Sequence, residues 1–376
     1  MSKLKPQGGY GGYGGYGGYG GYGGYGGYGG YGGYGGFSDA YGTQDGQMGN
    51  PIQTEGLTAS RDALIGAFDP AAVRNAPYPN PATKLKLWAD DVRMHVLQAE
   101  LFSPLRFVES VPAANQNADS VEIFHIDATG AAPFVFDSKP IVELIKPGSQ
   151  IFADELQLVM NWSELRQDRA AEILSQDANS SAFWASVVNL QSHRHKFTGE
   201  LLALAHSLAI HVEMRLKHAF ACPRPAEFSN QIQPMIATPG HGAWPSGHAT
   251  EAFVAARVLE ALISSTYPTA PARAMLSDQL QRLAARVAVN RTIAGVHFPV
   301  DSACGRILGE SLASYFVHRC LGVGTTYEAR VFDGTQFQNA GAAIDFDHHE
   351  PLNNGTYNLV SASNLAVAGH SDVLKQ

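Results

Sequence analysis

Apolar positions recur at helical spacing through much of the second half of the chain. Leu201, Leu204, Leu208 and His211 share one face of a run that ends at Lys217. Cys222-Pro223-Arg224-Pro225 must break that helix, because proline lacks an N–H and clashes with the preceding turn. Phe253, Val254, Val258, Leu259 and Leu262 predict a second, amphipathic helix, with Ser246 at or beside its N-cap. Leu280, Leu283, Ala284 and Val287 predict a third, with Ser277 as N-cap. Arg291 falls on that same face one turn further, where an arginine is costly unless it meets an anion. Pro299 suits the first turn of a fourth helix, on which Val300, Cys304, Ile307, Leu308, Ser311 and Leu312 follow helical spacing. Gly305 and Gly309 predict close helix contact there. Residues 121–150 mix short β-like stretches with Gly and Pro and read as loop-rich. Beyond about Gly324 the pattern is weakly periodic and reads as a segment wrapping the surface. The expected fold class is all-α, mainly helical, in packed helical bundles.

The N-terminal region follows different rules. Residues 8–36 repeat Gly-Gly-aromatic, with tyrosine at Tyr10, Tyr13 and every third residue to Tyr34, and Phe37 closing the series. Period three suggests collagen, but proline is absent and two residues in three are glycine, which argues against a triple helix. Glycine at this density is entropically expensive to order and buries no core. The repeat therefore reads as a disordered, flexible tail. Two readings of it stay open: an inert linker, or a self-associating segment whose tyrosines stack or bind a surface. Residues 38–56 stay polar and glycine-rich. The expected organisation is a tail over 1–56, a helical catalytic domain over 57–345 with its motif core at 198–320, and a C-terminal surface tail over 346–376.

Composition narrows the class. The formal net charge of −8 argues against a general nucleic-acid binder, which needs a basic field. No apolar run reaches the roughly 18–20 residues of a membrane span. The opening Met1-Ser2-Lys3-Leu4-Lys5-Pro6 leads into glycine without the apolar stretch of a signal peptide. A cytoplasmic protein is the default expectation, with non-classical export left open. Cys222, Cys304 and Cys320 are too few and too widely spaced for a disulfide framework or a zinc site, so reduced cysteines in or near a core are expected.

The candidate chemistry lies in three motifs. Lys217 and Arg224-Pro225 come first, then Pro245-Ser246-Gly247-His248, then Arg291, His297 and Asp301. Lysine offers a point charge and arginine a planar fork suited to oxyanions. Free N–H groups at Gly247 and His248, at a helix N-terminus, would point at an anion. His248 could exchange protons near neutral pH. Asp301, four residues after His297, could accept a hydrogen bond from one imidazole nitrogen and leave the other as a nucleophile or metal ligand. Each residue alone would more often be a solvated cation or a satisfied core histidine; the combination favours an oxyanion site. His193-Arg194-His195 reads as a solvated face or turn. His348-His349, after Asp345 and Asp347, offers a weaker surface metal site.

These motifs resemble the superfamily of the vanadium-dependent haloperoxidases, the type-2 phosphatidic acid phosphatases (PAP2) and the bacterial acid phosphatases. The resemblance covers about residues 217–301. One position departs from the pattern: the serine that usually precedes the third-motif arginine is Asn290, also small and polar. The resemblance implies an oxyanion cradle of Lys217, Arg224, Ser246, Gly247 and Arg291 for vanadate or phosphate. It makes His297 the residue bonded to vanadium or phosphorus, Asp301 its hydrogen-bond partner and His248 the acid–base. In the haloperoxidase reading, vanadate is the cofactor. Hydrogen peroxide and a halide are substrates, Lys217 polarises the bound peroxide, and a small organic molecule is halogenated. In the phosphatase reading, His297 attacks a phosphate monoester to form phosphohistidine and His248 protonates the leaving group. The haloperoxidase reading is preferred. The chain lacks the membrane spans of the lipid phosphatases and the signal peptide of the secreted ones, and it has long ordered-looking sequence before the first motif. His241, seven residues before His248, resembles the bromoperoxidase pattern and marks a candidate halide site, although a histidine in a Gly-His-Gly turn has a plain structural explanation too. Haloperoxidases of this family often oligomerise, so a homo-oligomer stays open. A third class remains, a Gly/Tyr-rich structural or adhesive scaffold. A combined reading has the domain halogenating or cross-linking tyrosines of its own tail.

Overall fold

The computed structural model describes residues 51–74, 78, 80, 83–112, 117–128, 136–178, 180–267, 269–321, 326–337 and 360–365. The Gly-Gly-Tyr repeat and His348-His349 lie outside the described residues. The chain divides into two compact units at Arg93–Met94. In the first, helix α1 (Pro51–Leu64) and two short 3-10 turns, Pro70–Ala72 and Lys84–Leu87, are mostly exposed, and Leu85 is buried. Helix α2 (Asp90–Phe102) crosses the division.

The second unit is mainly helical but carries a five-stranded sheet, which corrects the all-α expectation. Its strands are β1 (Leu105–Ser110), β2 (Ser120–Ala128), β3 (Phe136–Ile145), β4 (Tyr327–Asp333) and β5 (Val360–Leu365), in that spatial order. Neighbours are antiparallel except β3 and β4, which pair in parallel from Val142↔Arg330 to Ile145↔Asp333. Within 121–150, residues 121–128 and 136–145 are therefore strand rather than loop. Val121 and Ile123 alternate into the core as period-2 burial requires. The region beyond Gly324 likewise supplies two strands instead of a surface wrap.

Between β3 and β4 run the helices that carry the motifs: α3 (Ser149–Trp162), α4 (Arg166–Ala178), α5 (Ser181–Val188), α6 (Lys196–Phe220), α7 (Pro225–Phe228), α8 (Gly247–Thr266), α9 (Ala270–Ile293) and α10 (Pro299–Leu321). Helix α8 packs against α6, α9 and α10, and α10 packs in turn on β3 and β4. The expectation of an amphipathic α8 is corrected: Ala249, Ala252, Phe253, Val254, Ala255, Ala256, Val258 and Leu259 are all buried, so the helix is enclosed nearly all round. Helix α9 begins at Ala270 after Thr269, not at Ser277. Ser277 lies inside the helix and donates to Glu260 Oε1 at 2.6 Å. Pro299 does open α10. A Cβ on Gly305 would lie 2.7 Å from Ser246 O, and one on Gly309 2.5 Å from Thr250 O, so both glycines let α10 approach the α8 backbone. Cys222 and Cys304 are buried free thiols and Cys320 is partly buried. Residues His193-Arg194-His195 form the turn before α6. Among the described residues no helix is long and apolar enough to cross a membrane.

Candidate functional site

Helix α6 ends at Phe220, and Ala221 turns the chain in the left-handed region at φ 46°. Lys217, in the last turn, is buried, and Nζ donates to the carbonyls of Gly242 (3.3 Å), Ala243 (3.2 Å) and Pro245 (2.6 Å). The ammonium thus fixes the loop that delivers Ser246. Burial and the neighbouring Arg224 push the pKa of Lys217 down to about 8.

Arg224 follows the helix break in extended backbone and is also buried. Its Nε donates to His241 O (3.2 Å) and Nη1 to Val296 O (2.8 Å) and to His297 Nε2 (3.0 Å). Nη2 reaches His241 Nδ1 (3.2 Å) and Gly242 O (3.3 Å). Because a guanidinium can only donate, His297 Nε2 carries a lone pair. The other ring nitrogen, Nδ1, then donates to Asp301 Oδ2 at 2.9 Å. Asp301 Oδ2 also accepts from Phe298 N (3.0 Å), which locks the carboxylate at the start of α10. Burial and the cations Arg224 and Lys217 hold the imidazolium form of His297 well below its usual range. Burial raises the Asp301 carboxyl to about 7.

Ser246 is the N-cap of α8, with φ −69°, ψ 121° and Oγ accepting from Ala249 N at 3.5 Å. Its own N–H donates to Asp301 O (3.0 Å), which ties the second motif to the third. Gly247 and His248 begin the helix, where backbone N–H groups lack intrahelical acceptors. Burial and the nearby Arg291, Lys217 and Arg224 push His248 down to about 3, against a hydrogen bond to the backbone of Asp177 that acts the other way. His241 is half-buried beside Arg224 and is pushed down to about 4, mainly by burial and by Lys217.

Arg291 is buried on α9. Nη1 donates to Asp177 Oδ1 at 3.4 Å and Nη2 to Ile173 O at 3.0 Å, both on α4. Its Nε is buried and has no hydrogen-bond partner among the described residues. Asn290 points to α4, donating to Gln176 Oε1 (2.8 Å) and Glu172 Oε2 (3.2 Å). Its side chain thus braces two helices. Arg166 of α4 adds a second brace, donating to Ile293 O (2.8 Å) at the end of α9.

Arg224, Ser246, His297 and Asp301 are joined by direct hydrogen bonds, with Gly247 next to Ser246; Lys217 is tied in through Gly242 O, which it shares with Arg224, and His241 joins at Arg224. Arg291 and His248 meet around Asp177. The three motifs do not reveal Asp177 or the acids Glu155, Glu213 and Glu251. Glu155 of α3 accepts from Val300 N (3.1 Å) and so stabilises the N-terminus of α10. Glu213 lies one turn before Lys217, and its position beside Gly247 is seen only in the packed helices. Glu251, one turn after Gly247, is likewise buried. Among the described residues no cluster of His, Cys, Asp and Glu is suited to hold a metal ion. The donor set fits a tetrahedral oxyanion instead: three buried cations, an unpaired guanidinium N–H, a helix N-terminus and one imidazole lone pair.

The chain is 29% identical to the vanadium-dependent bromoperoxidase of Ascophyllum nodosum over a stretch covering 29% of this chain and 24% of that protein. It thus spans about a quarter of that relative's length. Among solved structures it is similar to a transmembrane PAP2 type phosphatidylglycerolphosphate phosphatase from Bacillus subtilis, with a TM-score of 0.37 and 19% identity, over 44% of this chain and 84% of that one. The model of the PAP2 superfamily matches residues 199–322, from the helix that bears Lys217 to the end of the helix that bears Asp301, and the chain carries a PAP2-superfamily domain over that stretch.

Proposed function

We propose that this domain is a vanadate-dependent haloperoxidase, which oxidises a halide, bromide in the first place, with hydrogen peroxide to hypohalous acid. The observation that carries the proposal is the fixed tautomer of His297, with its Nε2 lone pair set beside Arg224. A likeness to a bromoperoxidase supports peroxide chemistry over ester hydrolysis at this site. Vanadate, when bound, would activate hydrogen peroxide towards attack by the halide.

In this reading His297 would hold vanadium through Nε2, in place of the hydrogen bond that nitrogen accepts from Arg224, and Asp301 keeps the ring in the required tautomer. Lys217, Arg224 and Arg291 balance the oxyanion charge, with Arg291 Nε as a ready donor, while Ser246 Oγ and Gly247 N–H complete the cradle. Burial and the cradle cations hold His248 neutral and weakly basic, and an oxyanion on those cations would offset part of that push and let His248 accept a proton from peroxide. His241, half-buried beside Arg224, borders the halide. A small organic molecule consumes the hypohalous acid. The same cradle also supports a second reading, a PAP2-type phosphatase in which His297 attacks a phosphate monoester; the superfamily match favours it equally.

The test is bromination of a phenolic dye with hydrogen peroxide and bromide, with and without orthovanadate, run beside hydrolysis of a chromogenic phosphate ester. Vanadate-dependent bromination that His297→Ala abolishes is the expected result. Ester hydrolysis inhibited by vanadate, without bromination, would replace it by the phosphatase reading. Silence in both assays from folded protein would shift the weight to a scaffold role for the Gly-Gly-Tyr repeat.

A further inference from the structure

Behind the cradle lie two carboxyls that the proposed chemistry does not use. Glu213 sits on α6 one turn before Lys217, and Glu251 sits on α8 one turn after Gly247. Both are buried, at 5% and 9% exposure. Glu213 Oε1 lies 2.7 Å from the place a Cβ on Gly247 would take, so the carboxyl fills the space that this glycine leaves. Its Oε2 is buried with no hydrogen-bond partner among the described residues. An ionised carboxylate in that setting lacks the donors it needs, and a second carboxyl beside it makes double ionisation worse.

The charged groups that face the pair are few. Lys217 acts on both carboxyls, Arg224 on Glu213 and Arg291 on Glu251, while Glu213 opposes ionisation of Glu251. These cations are the ones that form the cradle. An oxyanion placed on them removes part of the field that keeps the carboxyls ionised.

We infer that the buried carboxyls Glu213 and Glu251 act together behind the oxyanion cradle, taking up a proton from solvent when an oxyanion binds and so setting the charge of the oxyanion that the site accepts. The inference rests on the oxyanion-site reading but on neither of its two reactions. Burial raises Glu213 to about 7 and Glu251 well above the usual carboxyl range, so the pair can respond near neutral pH. Below that range the pair is already protonated and a dianion binds without further proton transfer. Above it, binding carries the cost of protonating a carboxylate, and that cost grows with pH.

The experiment is isothermal titration calorimetry of orthophosphate into the full chain at pH 5.5 and pH 8, in buffers of different ionisation enthalpy. Wild type should take up protons at pH 8 beyond those assigned to phosphate itself. Glu213→Gln, which keeps shape but cannot ionise, should take up fewer. It should bind orthophosphate about 10-fold more tightly than wild type at pH 8, one pKa unit of proton cost, with no difference at pH 5.5. Glu251→Gln should act in the same direction, and it carries the test if Glu213→Gln does not fold. Absence of protein-borne uptake in wild type would overturn the inference, as would an affinity ratio independent of pH. Weaker binding by both variants at both pH values would make the pair a packing device instead. Failure of wild type to bind either orthophosphate or vanadate would remove the cradle itself, and this inference with it.

Discussion

Arg224 and Arg291 use their donors differently. All five N–H directions of Arg224 meet protein acceptors, so it orients His297, His241 and the loop carbonyls and adds charge. Arg291 keeps a buried, unpaired Nε and is the better hydrogen-bond donor to an oxyanion. Arg291→Lys is therefore expected to lower orthovanadate and orthophosphate affinity about 10–100-fold, because lysine presents a point charge in place of the fork. Asp301→Asn should weaken vanadate binding by a similar factor of about 10–100, since the amide no longer enforces Nδ1–H on His297; the vanadate dependence of bromination reads this. Lys217 loses its charge as pH rises through about 8, so oxyanion affinity should fall above that pH. In Lys217→Met the part of that fall that follows Lys217 should be missing, which leaves only the fall set by the buried carboxyls. The motif residues were legible because their chemistry is unusual in combination. Glu155, Glu213 and Glu251 were not, because a glutamate on a helix ordinarily faces solvent and only packing against distant helices shows that these three are buried, while the exposed Asp177 is found only through its contact with Arg291.

At the level of elements, helices were readable wherever apolar residues kept a 3.6-residue period and proline marked a boundary, as at Pro223 and Pro299. The start of α9 was misread because a serine in a long helical pattern resembles an N-cap. Ser277 instead satisfies its hydroxyl by donating to Glu260 on α8. In the sheet, β2 and β3 were taken for loop because Gly and Pro interrupt their β-like stretches, and the β3–β4 pairing spans the whole helical region, so it leaves no local signal. The glycines of α10 were read correctly as contact points, and they make a sharp test. Gly309→Val places branched carbons where a Cβ alone would lie 2.5 Å from Thr250 O and 2.9 Å from Phe253 Cβ. Such overpacking typically costs about 1–3 kcal/mol. At about 2–4 °C per kcal/mol for a domain of this size, thermal melting should show a clear drop in Tm. Because α10 also carries Asp301, vanadate affinity should fall with it. Unchanged melting would mean that α8 and α10 do not approach as closely as described.

For the whole molecule, the question is what the domain and the repeat do on one chain. Hypohalous acid attacks electron-rich phenol rings, replacing a ring hydrogen by halogen and releasing water. The repeat places tyrosine at every third residue from Tyr10 to Tyr34, with glycine on both sides, so the adjacent residues bring no side chain of their own. Tethering also raises their concentration at the enzyme that would make the oxidant. Tyr315 and Tyr327, by contrast, are buried at 0% and 1% exposure. If the domain is a haloperoxidase, turnover with hydrogen peroxide, bromide and vanadate should brominate the Tyr10–Tyr34 segment well before Tyr315 and Tyr327, as peptide mass spectrometry would show. His297→Ala under the same conditions should leave the segment unmodified. Adding reagent hypobromite to that variant should restore the labelling, which separates loss of the oxidant from loss of the target. A fully active preparation whose repeat stays unmodified would mean that tail and domain act independently, and that the tyrosines serve contact instead of chemistry.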